Sequence, residues 1–237
     1  MKADLEQIEG VYFLPRHRSY YSGFGHVRST IKGLDFLEKQ GVDYDYVNLL
    51  TGQDYPLKSH AAISAFLENN RGKSFIEHFT MPASSWTDGG MTRITHLWFH
   101  STGKVRKYPR DRFPLLFQRK IPYGLAPWGG SGYWTLCREH ADYVMRFVRS
   151  HPKYVRFFRR GHVPDEIFFQ TILLTSPYKA DIVNDDLRYV DWSDPREAPK
   201  VLGKGDWDKL EACDDLFARK FDIGRDADIL SMIDNAR

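Results

Sequence analysis

Short apolar runs alternate along this chain with stretches whose apolar residues recur every three or four positions. Val11-Tyr-Phe-Leu14 reads as a buried strand, and Val27, Ile31, Leu34 and Leu37 then follow helical spacing until Gly41 stops the pattern. Asp45-Tyr-Val-Asn-Leu-Leu50 is the next strand. It ends in the turn-rich Thr51-Gly-Gln-Asp-Tyr-Pro56, after which Ser59 can cap a helix carrying Ile63, Phe66 and Leu67. Ser74-Phe-Ile-Glu-His-Phe79 reads as a further strand. From Met81 to Trp128 Gly and Pro are scattered and the pattern is poorer, as in a functional or mobile insert. Tyr133-Trp-Thr-Leu-Cys137 is then a strand entered through the Gly129-Gly-Ser-Gly132 bend. A helix over 138–149 follows, with Tyr143, Phe147 and Val148 inward, and Pro152 closes it. Pro164-Asp-Glu166 opens a helix that runs straight into Ile167–Leu174 and ends at Ser176-Pro177. A strand at Tyr189–Trp192, a helix after Asp206 and a terminal helix from about Asp226 complete the series.

Strands alternating with helices of this length predict an α/β fold with a largely parallel sheet flanked by helices, in a single domain over 1–237. Ligands collect at the carboxyl ends of such strands, where Thr51 to Asp54 and Glu77 stand. No internal repeat and no low-complexity segment interrupts the chain.

Composition narrows the classes. With 237 residues, 42% hydrophobic and 15% aromatic, the chain can bury a large core. Lys and Arg number 34 against 31 Asp and Glu, a formal charge of +3 that argues against a dedicated nucleic-acid protein. Two cysteines, Cys137 and Cys213, form no disulfide framework, so a reducing compartment is the simpler expectation. No apolar run approaches the roughly 18 residues of a membrane span.

Several groups could carry chemistry. Glu166 lies at the start of an apolar helix, where acids suit the positive end of the dipole; a capping box would place Ser, Thr, Asp or Asn three residues earlier, and Val163 stands there. Glu166 is the candidate catalytic base, with a plain helix start as the competing reading. The triplets Asp43-Tyr-Asp45 and Asp206-Trp-Asp208 resemble carboxylate pairs that hold a divalent metal; Asp206 is better read as a helix cap. His96 and His100 are four apart, yet Leu97-Trp-Phe99 reads as strand and the Glu of a helical zinc motif is missing. The basic stretch 104–112, with Tyr108 and Phe113, reads as a solvated loop rather than a nucleic-acid site. No nucleophile elbow, Walker loop or dinucleotide-binding glycine motif is present in the sequence.

Three ordered stretches carry a resemblance: Tyr46-Val-Asn-Leu-Leu-Thr-Gly-Gln-Asp-Tyr-Pro-Leu-Lys58; Gly130-Ser-Gly-Tyr-Trp-Thr-Leu-Cys-Arg-Glu139 with Pro164-Asp-Glu-Ile-Phe-Phe-Gln170; and Leu216-Phe-Ala-Arg-Lys-Phe-Asp222. Together they resemble the core-2/I-branching glycosyltransferases, relatives of the peptide O-xylosyltransferases, in a bacterial-type form. The resemblance runs from about Val11 to Asp222 and is poor over 83–128, the expected variable acceptor-side loop. It implies a GT-A-like (Rossmann-like) fold and inverting transfer of GlcNAc or xylose from a UDP-sugar to a hydroxyl of a glycan or protein, without a metal or other cofactor. It implies Glu166 as the base and Lys220 as a cation neutralising the diphosphate. A second cation falls on Arg196 or Lys200, with Lys200 preferred. Glu77, Trp192 and, by its nearness to the family's acceptor loop, Arg93 are implied on the acceptor side.

Family catalytic domains begin with a further strand-helix-strand unit that holds the uridine, whereas ten residues precede Val11 here. The expectation is therefore an N-terminally shortened domain, from a late start or a fragment, with a non-catalytic glycan-binding remnant as the alternative. The expected setting is cytoplasmic or membrane-peripheral rather than Golgi-lumenal, with no nucleic-acid partner.

Overall fold

Seven consecutive residues, Phe168–Leu174, form a helix buried on every side, with Gln170 and Thr171 its only polar side chains. Around its start Tyr154, Phe158 and Phe168 pack with ring centroids 4.8 to 5.4 Å apart, and the Tyr154 hydroxyl donates to the Phe168 carbonyl at 2.8 Å. The buried phenol thus keeps a partner, which a core tyrosine requires. The computed structural model describes residues 2–108, 119–194 and 198–237. The chain divides into two compact units of interleaved segments: Met1–Asp43, Phe79–Gly129 and Asp142–Thr175 make the first, and Tyr44–His78, Gly130–Ala141 and Ser176–Arg237 the second.

In the first unit the helix Gly25–Lys39 buries Val27 and Leu34, as the spacing predicted, and ends just before Gly41, whose φ of +61° suits glycine. An antiparallel hairpin pairs Leu97–Ser101 with Lys104–Tyr108, and Phe79–Thr80 pairs with Trp128–Gly129. The run 81–128 therefore holds more order than its composition suggested. Val11–Leu14 is not a strand: residues 11–20 have no regular structure, and Val11, Tyr12 and Phe13 are exposed. An apolar run becomes a strand only where a neighbour accepts and donates its backbone hydrogen bonds. Here Tyr12 instead lays its ring on Phe36, with centroids 5.1 Å apart.

The second unit holds two small sheets. One has the order Tyr46–Asn48, Thr135–Cys137, Ser74–Phe75, Ile182–Val183; the other runs Arg188–Val190, Phe217–Arg219, Asp54–Pro56. Where one largely parallel sheet was expected, the unit has two small sheets of mixed orientation. Thr135–Cys137 inserts between the strands at 46 and 74 and runs antiparallel to both, while parallel pairing joins Ser74–Phe75 to Ile182–Val183 and Arg188–Val190 to Phe217–Arg219. Side chains alternate with period two in either orientation, so apolar periodicity marks a strand without stating its direction. Ser59 caps the helix His60–Asn69, its hydroxyl accepting from the Ala62 amide at 3.2 Å. Leu202, Leu210, Ala218, Phe221, Ile229 and Ile233 form one core cluster, and Leu67, Phe75, Leu187, Leu216 and Phe217 another. Among the described residues no helix is long and apolar enough to cross a membrane.

Candidate active site

Glu166 does not sit in the first turn of a continuous helix. Pro164–Glu166 forms a separate 3-10 turn, and Ile167, at φ −134° and ψ −34°, breaks the backbone before Phe168–Leu174 begins. The turn is entered through Val163 at φ +45°, an outlier for a β-branched residue, held by its amide donating to the Ser22 carbonyl at 2.8 Å. Proline suits the first position because it has no amide to leave unpaired. The bend aims Glu166 at Arg93: Nη1 donates to Oε2 at 2.5 Å, and both side chains are partly buried. The Arg93 guanidinium in turn lies 3.6 Å from the centroid of the Trp86 ring. A charge-assisted bond to a cation fixed on an aromatic face holds the carboxylate in one orientation.

Burial pushes the neighbouring Asp165 carboxyl up, against the pull of His26 and Arg93. His162, stacked on Trp98 at 4.1 Å and on His100 at 5.8 Å, is pushed down to about 4, first by burial and then by His100 and Arg93. Its ordinary value is 6.5, so the unfolded chain binds more protons than the folded one between pH 6.5 and 4. Stability is therefore expected to fall as the pH drops through that window, more steeply than in His162→Phe, measured as melting temperature against pH. Parallel curves for the two proteins would contradict the assignment.

In the second unit the predicted strand 74–79 stops at Phe75, and Glu77 follows it. The Ile76 amide donates to the Val183 carbonyl at 3.1 Å, and the His78 amide to Asn184 Oδ1 at 2.6 Å, so the backbone on both sides of Glu77 is anchored. Gly130 allows this path: a Cβ there would come within 1.8 Å of the Glu77 carbonyl oxygen. Although Glu77 is an exposed residue, the protein packed around its carboxyl raises its pKa, and Asp186 pushes the same way. Trp192 is 65% exposed, leaving ring surface open.

Lys200 and Lys220, far apart in sequence, are adjacent. The Lys220 amide donates to the Lys200 carbonyl at 3.5 Å, and the Leu202 amide to the Lys220 carbonyl at 2.9 Å. Lys200 donates through Nζ to Asp206 at 2.5 Å, which raises its pKa, while the other Asp206 oxygen accepts from the Gly203 amide at 3.1 Å. Asp206 is thus taken up by a lysine and a turn upstream of the helix Trp207–Ala212, rather than by a side-chain bond capping that helix. Asp45, in the other triplet, faces Arg71 at 3.9 Å. Arg196 and Phe113 lie outside the described residues, as do 109–112 of the basic stretch; Lys104–Tyr108 is strand.

One cluster escaped the sequence reading. Asp54, whose side chain is wholly buried, lies 4.0 Å from Arg188 Nε and 3.5 Å from Arg219 Nε, and accepts from the Thr51 amide at 2.6 Å. Tyr133 takes Arg188 and Arg219 against its ring at 4.5 and 4.2 Å. The signal was the Asp in the turn after a strand, but its cations come from strands 134 and 165 residues later.

A sequence model of the family described as Core-2/I-Branching enzyme matches residues 1–212. Among curated relatives, xylosyltransferase 2 of Mus musculus is 27% identical over 197 residues, 79% of this chain and 21% of that protein. Xylosyltransferase 1 of Mus musculus is 28% identical over 166 residues, 67% of this chain and 16% of the relative. Xylosyltransferase 2 of Homo sapiens is 26% identical over 181 residues, 73% of this chain and 19% of the relative. The chain thus spans about a fifth of the length of these proteins.

Proposed function

From the premise that the chain belongs to the core-2/I-branching enzyme family, we propose that it is an inverting glycosyltransferase that moves xylose or GlcNAc from a UDP-sugar to a hydroxyl of a glycan or protein. The observation that carries this reading is the Arg93–Glu166 pair: an oriented carboxylate on a constrained turn, beside a tryptophan face. Glu166 removes the acceptor hydroxyl proton as that oxygen bonds to the anomeric carbon. The bond from that carbon to the diphosphate breaks on the opposite face, and UDP leaves with the electron pair. General-base assistance of this kind is worth roughly a hundred- to ten-thousand-fold.

Lys220 and Lys200 neutralise the departing diphosphate, so that no metal is needed. The backbone bonds joining their two segments support this role, because they make the two lysines neighbours in the fold. Arg93, Glu77 and Trp192 serve the acceptor; an exposed indole suits the apolar face of a sugar ring. Both cysteines are free, which fits a cytoplasmic or membrane-peripheral setting.

Lys220→Ala is the test of the donor side. It is expected to weaken UDP binding about tenfold or more, since a hydrogen bond to a charged group contributes about 1.5–3 kcal/mol. Calorimetric titration with UDP in EDTA measures it. An unchanged dissociation constant would remove Lys220 from the donor site.

A further inference from the structure

The first unit contains a recess of about 660 Å³ whose lining carries five arginines, Arg18, Arg28, Arg156, Arg159 and Arg160, together with His100, and no carboxylate. Among the described residues none of the five guanidinium groups is in an ion pair. Arg18 donates to the Thr102 hydroxyl at 3.3 Å and lies 5.4 Å from the Tyr20 ring, and Arg160 covers Phe99 at 4.6 Å. Five unpaired cations around one hollow repel one another, and surfaces ordinarily intersperse both signs to avoid this.

The recess is built rather than incidental. The Trp98 amide donates to the Arg160 carbonyl at 3.0 Å, tying the hairpin wall to the arginine-bearing wall. Gly23 lets the third wall close in, because a Cβ there would stand 3.2 Å from His100 Cγ. The recess also adjoins the turn that carries Glu166: His162 stacks on Trp98 and His100, and Val163 bonds to Ser22, next to Gly23.

We propose that this recess binds an anionic saccharide, carrying sulfate or carboxylate groups, as part of the acceptor. The arginine guanidinium groups only donate, so a ligand must bring the acceptor oxygens, which oxyanions supply in the paired geometry that guanidinium matches. The volume suits a few sugar rings rather than an extended polymer face. Tyr20 and Trp98 in the lining offer aromatic surface for sugar C–H faces. The choice of a saccharide rests on the glycosyltransferase reading; the anion preference rests on the recess alone.

The test is calorimetric titration of the full chain, at low salt, with a sulfated heparin tetrasaccharide, its desulfated form, which keeps the carboxylates, and neutral tetra-N-acetylchitotetraose. Saturable binding of either charged form, at least tenfold tighter than the neutral one, is expected, and whichever form binds names the anion. The combined Arg156→Gln, Arg159→Gln, Arg160→Gln variant is expected to lose at least tenfold in affinity; these side chains are exposed, and the single Arg159→Gln variant, with a smaller loss, serves if the triple variant misfolds. Equal binding of tetra-N-acetylchitotetraose, unchanged binding by the variants, or tighter binding of a charge-matched single-stranded oligonucleotide would overturn the proposal. UDP titration of the same samples keeps the two readings separate: saccharide binding without UDP binding defeats the transferase, and UDP binding without saccharide binding defeats the recess.

Discussion

Glu166→Gln is expected to lower sugar transfer by about a hundred- to ten-thousand-fold while leaving UDP affinity and the melting temperature close to those of the parent. The amide is isosteric and can still accept from Arg93 through its oxygen, so the Arg93–Trp86 arrangement keeps its shape. What is lost is the basic oxygen that takes the proton as the acceptor attacks. A loss confined to KM would instead describe a residue that only positions the acceptor. Undiminished turnover would leave Glu166 as a structural partner of Arg93.

Asp54→Ala is expected to have the largest effect on stability, about 3–5 kcal/mol, because removing one partner of a buried ion pair leaves the others uncompensated. Here the remainder is two arginines, one of them almost wholly buried, pressed on the same Tyr133 ring. Burial already lowers the pKa of both arginines; Asp54 opposes this at both, joined by Asp186 at Arg188. Chemical denaturation would read the change as a shifted midpoint. A loss under about 1 kcal/mol would mean that the guanidinium groups are satisfied by the Leu49 and Asp186 carbonyls, which Arg188 already reaches.

These two residues mark what the sequence made legible. Glu166 was readable because its neighbours Pro164, Asp165 and the apolar run lie beside it in the chain, and because the missing capping partner at Val163 was itself visible. Its break at Ile167 was not, since φ and ψ there answer to packing rather than to any local signal. Helices with strong periodicity, such as Gly25–Lys39, and caps such as Ser59 came through nearly unchanged. Strand partners did not. Thr135–Cys137 reads as a strand from its own residues, yet its place between strands at 46 and 74 depends on partners that lie far upstream in the chain. The same limit hid the Asp54 cluster, and it hid the adjacency of Lys200 and Lys220, which follows from backbone bonds between two loops. Arg93 was put on the acceptor side only by its nearness to the family's acceptor loop, and its bond to Glu166, 73 residues away, could not be read from the chain.

Sugar transfer from a UDP donor by these residues is read by measuring UDP released from UDP-xylose and UDP-GlcNAc, in EDTA, with and without a panel of hydroxyl acceptors. The expected result is release from one donor that depends on an acceptor and disappears in Glu166→Gln. No acceptor-dependent release from either donor, or release that persists in the Gln variant, would contradict it.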